Sequence, residues 1–346
     1  MIISRYNSEK LKVLSFVSIL FVIFIHSPYV EAKAYPLASS VQTFMTDFGL
    51  AIFAVPMFYF ISGMLFFKGV ESAKECFPKI RKRVRTLLVP YVIWNIVFVL
   101  WYVAMAVLPG ISQYVNSDML TSLNWRDPVG TFSFLFVEPA GFHLWFLRDL
   151  MLFVVVSPLL YVVMKRWPWL SLLVAFFALG WIPRMGITYF MLGGIIAMHH
   201  DMETLDKVLT RPVVGGCLAI YLLNAVVTVV VGTFPGNALW QYVEQLVAVA
   251  AIMGIWGLYS WVVKREFLLS DFWIRVMSFT FFVYLFHEPV FNIVKKLGLK
   301  VLGESDASLI GLFLINPFII IILSILVGMA FRKMLPKVYA VFVGGR

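Results

Sequence analysis

Residues 11–30 read LKVLSFVSILFVIFIHSPYV, a run that is apolar apart from a few hydroxyl groups, one lysine and one histidine. A helix needs about 20 mostly apolar residues to cross the hydrocarbon core of a bilayer. The run has no small-residue cleavage site, so it is typical of a signal anchor and not of a removable signal peptide. The stretch therefore predicts an all-α fold that begins with a transmembrane helix.

The composition of the 346 residues favours a protein that crosses the membrane many times. Hydrophobic residues make up 62% of the chain, charged residues make up 13%, and the mean hydropathy is +0.92. An ordinary soluble domain is about 25% charged, so these values exclude secreted, cytosolic and disordered proteins. The two cysteines, Cys76 and Cys217, cannot form a disulfide framework and have no zinc-like spacing.

Ten apolar runs, separated by charged or turn residues, predict ten transmembrane helices. They span residues 11–30, 44–67, 87–108, 143–164, 169–182, 187–198, 213–232, 243–263, 273–294 and 309–331. The fifth and sixth runs are short for a span and predict either tilted helices or a re-entrant pair. Ten spans leave room only for loops, so we expect one integral-membrane domain over residues 1–346 and no separate soluble domain.

The distribution of lysine and arginine predicts that both termini are cytoplasmic. With the N-terminus inside, 21 of these residues fall on the inner side and six on the outer side, as the positive-inside rule requires. This placement accounts for the net charge of +10 without a nucleic-acid partner. Three of the outer residues, Lys295, Lys296 and Lys300, run against the rule.

Ionisable residues inside predicted spans are candidates for function, because they are costly to bury in lipid. Histidines lie near the predicted outer ends of three helices, and charged residues accompany two of them. The candidates are His26 in the first helix, His143 with Arg148 and Asp149 in the fourth, and His287 with Glu288 in the ninth. Three of the five histidines thus share one predicted depth. A purely structural role for each histidine is the alternative.

Other polar motifs give weaker predictions. His199 and His200 fall in a predicted cytoplasmic loop, so we expect their side chains to be solvated. The histidines have no HxxxH or HExxH spacing, so no metal is expected. Ser62 is not part of a GxSxG motif, and the small pair Ser62–Gly63 within a helix indicates close packing. The polar residues 109–142 predict an outer loop, which suits either a saccharide-like acceptor or a cover for the bundle.

Five cations within seven residues precede the third predicted helix. They are Lys79, Arg81, Lys82, Arg83 and Arg85. Such a segment at the inner face can hold phosphate groups, or it can only fix the topology and contact anionic lipid. The charges alone favour the second interpretation.

Six stretches, taken together, match the pattern of one family. They are His26 late in the first helix, PMFYFISGM at 56–64, KIRKRVRTLLVPYVIW at 79–94, HLWFL at 143–147, FMLGG at 190–194, and 278–289 ending in YLFHEP. In this order and spacing the chain resembles the acyltransferase 3 family, whose multi-pass enzymes acylate cell-surface glycans and related acceptors. The resemblance covers most of the chain.

The resemblance implies a ten-helix bundle in a bacterial inner membrane. It implies an acyl-CoA donor, usually acetyl-CoA, on the cytoplasmic side and an acceptor hydroxyl on a glycan or lipid-linked saccharide reached from outside. It makes His26 the catalytic histidine and Arg81, Arg83 and Arg85 ligands of the donor phosphates. The implied partners are these two substrates and membrane lipid, with no nucleic acid and no metal; a homo-oligomer is left open.

The chain departs from the family pattern at one position. The family typically has an arginine eleven residues before the histidine of helix 1, where this chain has Ser15. Lys12 lies one helical turn earlier on roughly the same face and is a candidate substitute. We therefore expect the donor-binding residues to be Lys12, Lys79, Arg81, Lys82, Arg83 and Arg85. The departure leaves the identity of the acyl group open.

Acyl transfer from a thioester to an alcohol needs a base and a stabilised oxyanion. Histidine suits the first role, so we expect His26 to be the general base. Glu288 or Asp149 could orient it, and Arg148, His143 or His287 could donate to the oxyanion. The competing interpretation is a proton-coupled transporter or flippase, because intramembrane histidine and carboxylate pairs also form proton relays. No two-halves repeat supports a transporter.

Overall fold

The computed structural model describes residues 3–46, 48–107, 126–178, 186–232, 237–264 and 269–345. The regular secondary structure within these ranges is helical throughout. The α-helices, numbered in chain order, are α1 (Arg5–His26), α2 (Pro36–Met45), α3 (Ala54–Phe67), α4 (Cys76–Arg83), α5 (Val89–Val107), α6 (Pro128–Val137), α7 (Trp145–Val155), α8 (Ser157–Arg166), α9 (Pro168–Ala178), α10 (Ile187–His199), α11 (Met202–Val208), α12 (Arg211–Val231), α13 (Ala238–Val262), α14 (Asp271–Met277), α15 (Thr280–Leu302), α16 (Asp306–Met334) and α17 (Pro336–Phe342).

Five of the described segments are long and apolar enough to cross a membrane. They are Pro36–Phe67, Ala73–Val107, Arg211–Val231, Leu239–Val262 and Asp306–Met334. Phe142–Val155 and Ser157–Arg166 are bent by 64° and make a sixth if they form one span. The bend follows from Pro158, which lacks the N–H that would continue the helix. The all-helical membrane class is confirmed, while ten spans and inward-facing termini stay predictions.

Helix α1 differs from the prediction at both ends. It begins at Arg5, where the side chain of Ser4 accepts a hydrogen bond from the Asn7 backbone N–H, as an N-cap does. It ends at His26 because Pro28 cannot continue the hydrogen-bond ladder. The predicted end at residue 30 is therefore wrong, and His26 terminates the helix.

The predicted helix over 44–67 is interrupted. The backbone at Gly49 folds back on the end of α2 so closely that a Cβ there would lie 2.0 Å from the Phe44 carbonyl oxygen. Polar side chains of α12 bond carbonyl groups at this break: Asn224 and Thr228 donate to Phe48 O at 2.6 and 3.1 Å. A broken helix in an apolar bundle requires such partners for its backbone.

The predicted helix over 273–294 is likewise two helices, α14 and α15. Two hydroxyl side chains at the break compete with the backbone ladder. Ser278 Oγ donates to Arg275 O, and Thr280 Oγ1 donates to Met277 O, both at 2.7 Å. Helix α15 then continues to Leu302, beyond the predicted end.

The chain forms two compact units, of which the first comprises Met1–Cys76 and Ser157–Gly328. In this unit α3 and α10 approach through two glycines. A Cβ on Gly63 would lie 1.9 Å from Phe190 O, and one on Gly193 would lie 2.0 Å from Phe60 O. Two of the motif stretches thus meet backbone to backbone, which confirms the close packing that the small residues predict.

The second unit comprises Phe77–Val156 and Met329–Arg346. The indole N–H of Trp94 in α5 donates to Phe342 O at 3.2 Å. One turn of π-helix, here called the π-turn, spans Val84–Leu88 and leads into α5. Pro90 has no N–H to donate to the Thr86 carbonyl, so the α-helical hydrogen bond is missing there. Gly344 packs on that carbonyl: its φ is +69°, and a Cβ there would lie 2.6 Å from Thr86 O.

Candidate functional site

Two of the predicted site residues meet in the first unit. His26 is the last residue of α1 and is half-buried, whereas His287 is fully buried within α15. Their imidazole rings stack with centroids 5.5 Å apart and planes inclined by 21°. The sequence placed both histidines at one depth, and the fold brings their rings into contact.

The backbone of α15 fixes the orientation of His287. Its Nδ1 lies 2.8 Å from Tyr284 O and 3.1 Å from Val283 O. Carbonyl oxygens only accept hydrogen bonds, so we assign the ring hydrogen to Nδ1. In the neutral ring the lone pair then lies on Nε2. His287 thus presents a fixed ring face to His26.

The turn after His26 is held by four hydrogen bonds to other elements, three of which use a side chain of the other element. Ser27 Oγ donates to Phe313 O at 3.3 Å, Lys295 Nζ donates to Pro28 O, Tyr29 N donates to Gln42 Oε1 at 3.0 Å, and Asn316 Nδ2 donates to the Tyr29 hydroxyl. We call residues 27–29 the clamped turn. A buried cluster that includes Phe24, Tyr29 and Phe313 packs around it. These contacts fix the backbone that carries His26.

Lys295, which the predicted topology places against the positive-inside rule, is held by local contacts. Its ammonium group bonds to the clamped turn and lies 4.9 Å from the ring centroid of Tyr29 and 5.4 Å from that of Phe291. Aromatic faces attract a cation at such distances. The predicted outer position of Lys295, against the charge pattern, was the one sequence signal for this contact. Nothing in the sequence pointed to Gln42 or Asn316.

Glu288 follows His287 directly, so the two side chains leave α15 in different directions. Asn292 Nδ2 donates to Glu288 Oε2 over a long 3.4 Å. Glu288 is half-buried and belongs to the same unit as His26. An orienting role for it stays a prediction.

The remaining predicted catalytic residues lie in the second unit. His143 is 2% exposed, and its ring packs edge-to-face on Phe98 at a centroid distance of 5.3 Å. Arg148 Nε and Nη2 both lie 2.8 Å from Asp149 Oδ1, and Arg148 Nη1 donates to Val137 O. Arg148 and Asp149 are therefore partners of each other.

The basic segment spans the end of α4 and the π-turn. Arg81, Lys82 and Arg85 are exposed, while Lys79 and Arg83 are half-buried. Single π-turns are common at functional sites, and exposed guanidinium groups can bind phosphate. Lys12 is exposed on α1. The structure thus leaves most of these cations accessible.

Lys10 is one of the 21 inner-side cations that predict the topology, and no further role was predicted for it. It is fully buried in the first unit. Its Nζ donates to Asp206 Oδ1 at 2.7 Å and to Ser260 Oγ at 2.6 Å, and it lies 4.1 Å from the Trp256 ring centroid. Trp256 Nε1 donates to the same carboxylate oxygen at 2.9 Å. Asp206 belongs to α11, a short helix within the predicted cytoplasmic loop.

His199 and His200 are exposed, as predicted. They line a cavity of about 650 Å³ together with Lys68, Lys165 and Asp201. His199 Nε2 lies 3.0 Å from Met164 O.

In the described ranges, no three His, Cys, Asp or Glu side chains cluster as a metal site requires, and chemistry without a metal stays a prediction. Residues 108–125 of the predicted outer loop lie outside the described ranges, and α6 forms part of the rest.

Comparison with known proteins bears on the resemblance. The model of the acyltransferase domain family matches residues 9–333 and so covers both units. The chain is 26% identical over 356 residues to the succinoglycan biosynthesis protein ExoH of Rhizobium meliloti (strain 1021), an alignment that covers 98% of this chain and 92% of that protein. No solved structure matches the chain. The protein therefore belongs to the acyltransferase 3 family and is an acyltransferase of groups other than aminoacyl groups.

Proposed function

We propose that this protein is a membrane O-acyltransferase that modifies a polysaccharide or its lipid-linked precursor. A single integral-membrane domain in a bacterial inner membrane would take an acyl group, acetyl in the simplest case, from cytoplasmic acyl-CoA. The acceptor would be a hydroxyl on the outer side. Family membership supports the transfer and disfavours the transporter interpretation, and the relative named for succinoglycan biosynthesis supports a saccharide acceptor.

The observation that carries the proposal is the contact between His26 and His287 at the end of α1. His26 is the proposed general base. The acceptor oxygen attacks the thioester carbonyl carbon while a ring nitrogen of His26 takes the hydroxyl proton. The tetrahedral intermediate then collapses, the carbon–sulfur bond breaks, and the protonated His26 returns the proton to the CoA sulfur.

His287 is proposed to position His26, because its own Nδ1 is committed to the carbonyls of α15. Glu288 is proposed to stabilise the charged form of His26. In the second unit, His143 and Arg148 are proposed donors to the oxyanion, with Asp149 holding the guanidinium group of Arg148. The proposed base is thus His26, the proposed positioning residue is His287, and the other predicted catalytic residues are proposed to stabilise charge.

The donor phosphates are proposed to bind the basic segment Lys79–Arg85 and Lys12. The accessibility of Arg81, Lys82, Arg85 and Lys12 supports this. Arginine binds phosphate through two parallel N–H groups and is the residue best suited to the task. Lys12 is proposed to act in place of the arginine that Ser15 replaces.

The proposal is tested with purified protein in detergent, radiolabelled acetyl-CoA and a lipid-linked saccharide. Wild type should release CoA and label the saccharide, whereas His26→Ala should do neither while remaining folded in the membrane. His200→Ala is the matched control, because this exposed histidine has no proposed role, and it should keep full activity. Normal labelling of the saccharide by His26→Ala would remove His26 from the mechanism.

A further inference from the structure

Gln42 lies in α2 and is 5% exposed. Its side-chain oxygen accepts the hydrogen bond from Tyr29 N at 3.0 Å. A backbone N–H can only donate, so this contact assigns Oε1 to the side facing Tyr29 and Nε2 to the opposite side of the amide. The orientation of the amide follows from the clamped turn.

The Nε2 of Gln42 is buried and has no hydrogen-bond partner among the described residues. Buried polar side-chain atoms almost always have a partner, and an unsatisfied buried donor destabilises the fold. Gln42 is nevertheless held firmly through its other atom. A donor that is both fixed and unsatisfied within the protein suits a ligand that arrives during the reaction.

Gln42 is linked to the proposed base through the clamped turn. Tyr29 follows His26 by three residues, which limits their Cα separation to about 11 Å at full extension. The amide of Gln42 bonds directly to the backbone of Tyr29, and α1 ends at His26. The clamped turn therefore follows the proposed base at one end and holds the amide of Gln42 at the other.

We infer that Gln42 is a further catalytic residue, whose Nε2 donates a hydrogen bond to the carbonyl oxygen of the acyl group as His26 activates the acceptor. The inference rests on the proposed function. As the acceptor oxygen bonds to the carbonyl carbon, the carbonyl π electrons move onto the carbonyl oxygen, and they return when the carbon–sulfur bond breaks and the thiolate leaves. A donor oriented in advance stabilises this charge without reorganising during the reaction.

The decisive variant is Gln42→Glu. It keeps an oxygen that accepts from Tyr29 N and removes both side-chain N–H donors. We expect kcat to fall by about 10²–10³-fold, the loss typical of removing one oxyanion donor, with KM for donor and acceptor little changed. Gln42→Glu that keeps kcat within about twofold at a pH high enough to ionise the glutamate would overturn the inference, because the ionised side chain retains only the acceptor for Tyr29 N. A rise in acceptor KM at unchanged kcat would equally overturn it.

A second variant covers the case in which a buried glutamate prevents folding. Gln42→Met has similar length, adds no charge and also lacks the donor, so it should lose kcat to the same extent, and retention of kcat would overturn the inference. Folding of each variant is checked by its thermal melting in detergent. Failure of the proposed function gives a different result, because wild type itself would then transfer no acyl group.

Discussion

The imidazole rings of His26 and His287 stack at a centroid distance of 5.5 Å, with their planes 21° apart. His26 ends α1, where the clamped turn holds the backbone. The carbonyls of Val283 and Tyr284 fix His287 within α15. The position of the proposed base therefore depends on two helices that are far apart in the sequence.

Replacing His287 should slow transfer without abolishing binding. His287→Ala removes the ring on which His26 packs, so we expect kcat to fall by at least about tenfold, part of the 10²–10⁴-fold that a positioned base contributes. His287→Phe keeps an aromatic ring and should retain more activity. Steady-state kinetics would separate kcat from KM. Full activity in the alanine variant would contradict a positioning role.

Lys295 should stabilise the turn that carries His26. Lys295→Met leaves the Pro28 carbonyl without its donor, and we expect a loss of about 1–3 kcal/mol in unfolding free energy with a fall in kcat. Lys295→Arg keeps a donor and should restore part of both. The neighbouring Lys296→Met, on an exposed residue, is the control. Equal melting temperatures for Lys295→Met and wild type would contradict this role.

The Lys10–Asp206 pair should be important for stability. Removing one partner of a buried ion pair costs about 3–5 kcal/mol, because the other charge stays buried alone. We therefore expect Lys10→Met to melt at a much lower temperature in detergent than wild type. Lys33→Met removes an exposed lysine and should change stability by less than about 0.5 kcal/mol. Similar melting of both variants would show that the pair contributes little.

The glycine contact between α3 and α10 should not tolerate a methyl group. Gly63→Ala and Gly193→Ala each place a Cβ within 2.0 Å of a carbonyl oxygen, so the helices must separate. We expect a loss of about 1–3 kcal/mol, as for other overpacked contacts. Gly216→Ala in α12 has no atom within 4 Å of its Cβ and serves as the control. Unchanged melting of Gly63→Ala would rule out a tight contact.

The basic segment should determine affinity for the donor. Arg81→Gln with Arg85→Gln removes two exposed guanidinium groups, so we expect KM for acyl-CoA to rise by about tenfold or more, since a charged hydrogen bond is worth about 1.5–3 kcal/mol. The effect should weaken with added salt. Lys74→Gln, on an exposed lysine nearby, should leave KM unchanged. An unchanged KM in the double variant would assign the segment to topology alone.

Sequence reasoning predicted the parts of the site that depend on intrinsic residue chemistry. A histidine within an apolar run is conspicuous because lipid offers it no partner, so His26 and His287 were candidates from the sequence, and the fold brings their rings into contact. Gln42 and Asn316 were missed because an amide side chain carries no signal until its partner is known. Lys10 was missed for the same reason, since its partner Asp206 lies about two hundred residues away along the chain.

The sequence by itself determined the membrane class, the helical fold and the family, because hydropathy and motif order are local properties that need no knowledge of contacts. Tertiary structure decided that the helix break at Gly49 is stable, and it decided which side chains meet. Backbone carbonyls at a break are stable only when another helix supplies donors, as α12 does at Phe48. The stack of His26 on His287 and the clamped turn likewise exist only once α1, α2, α15 and α16 pack together.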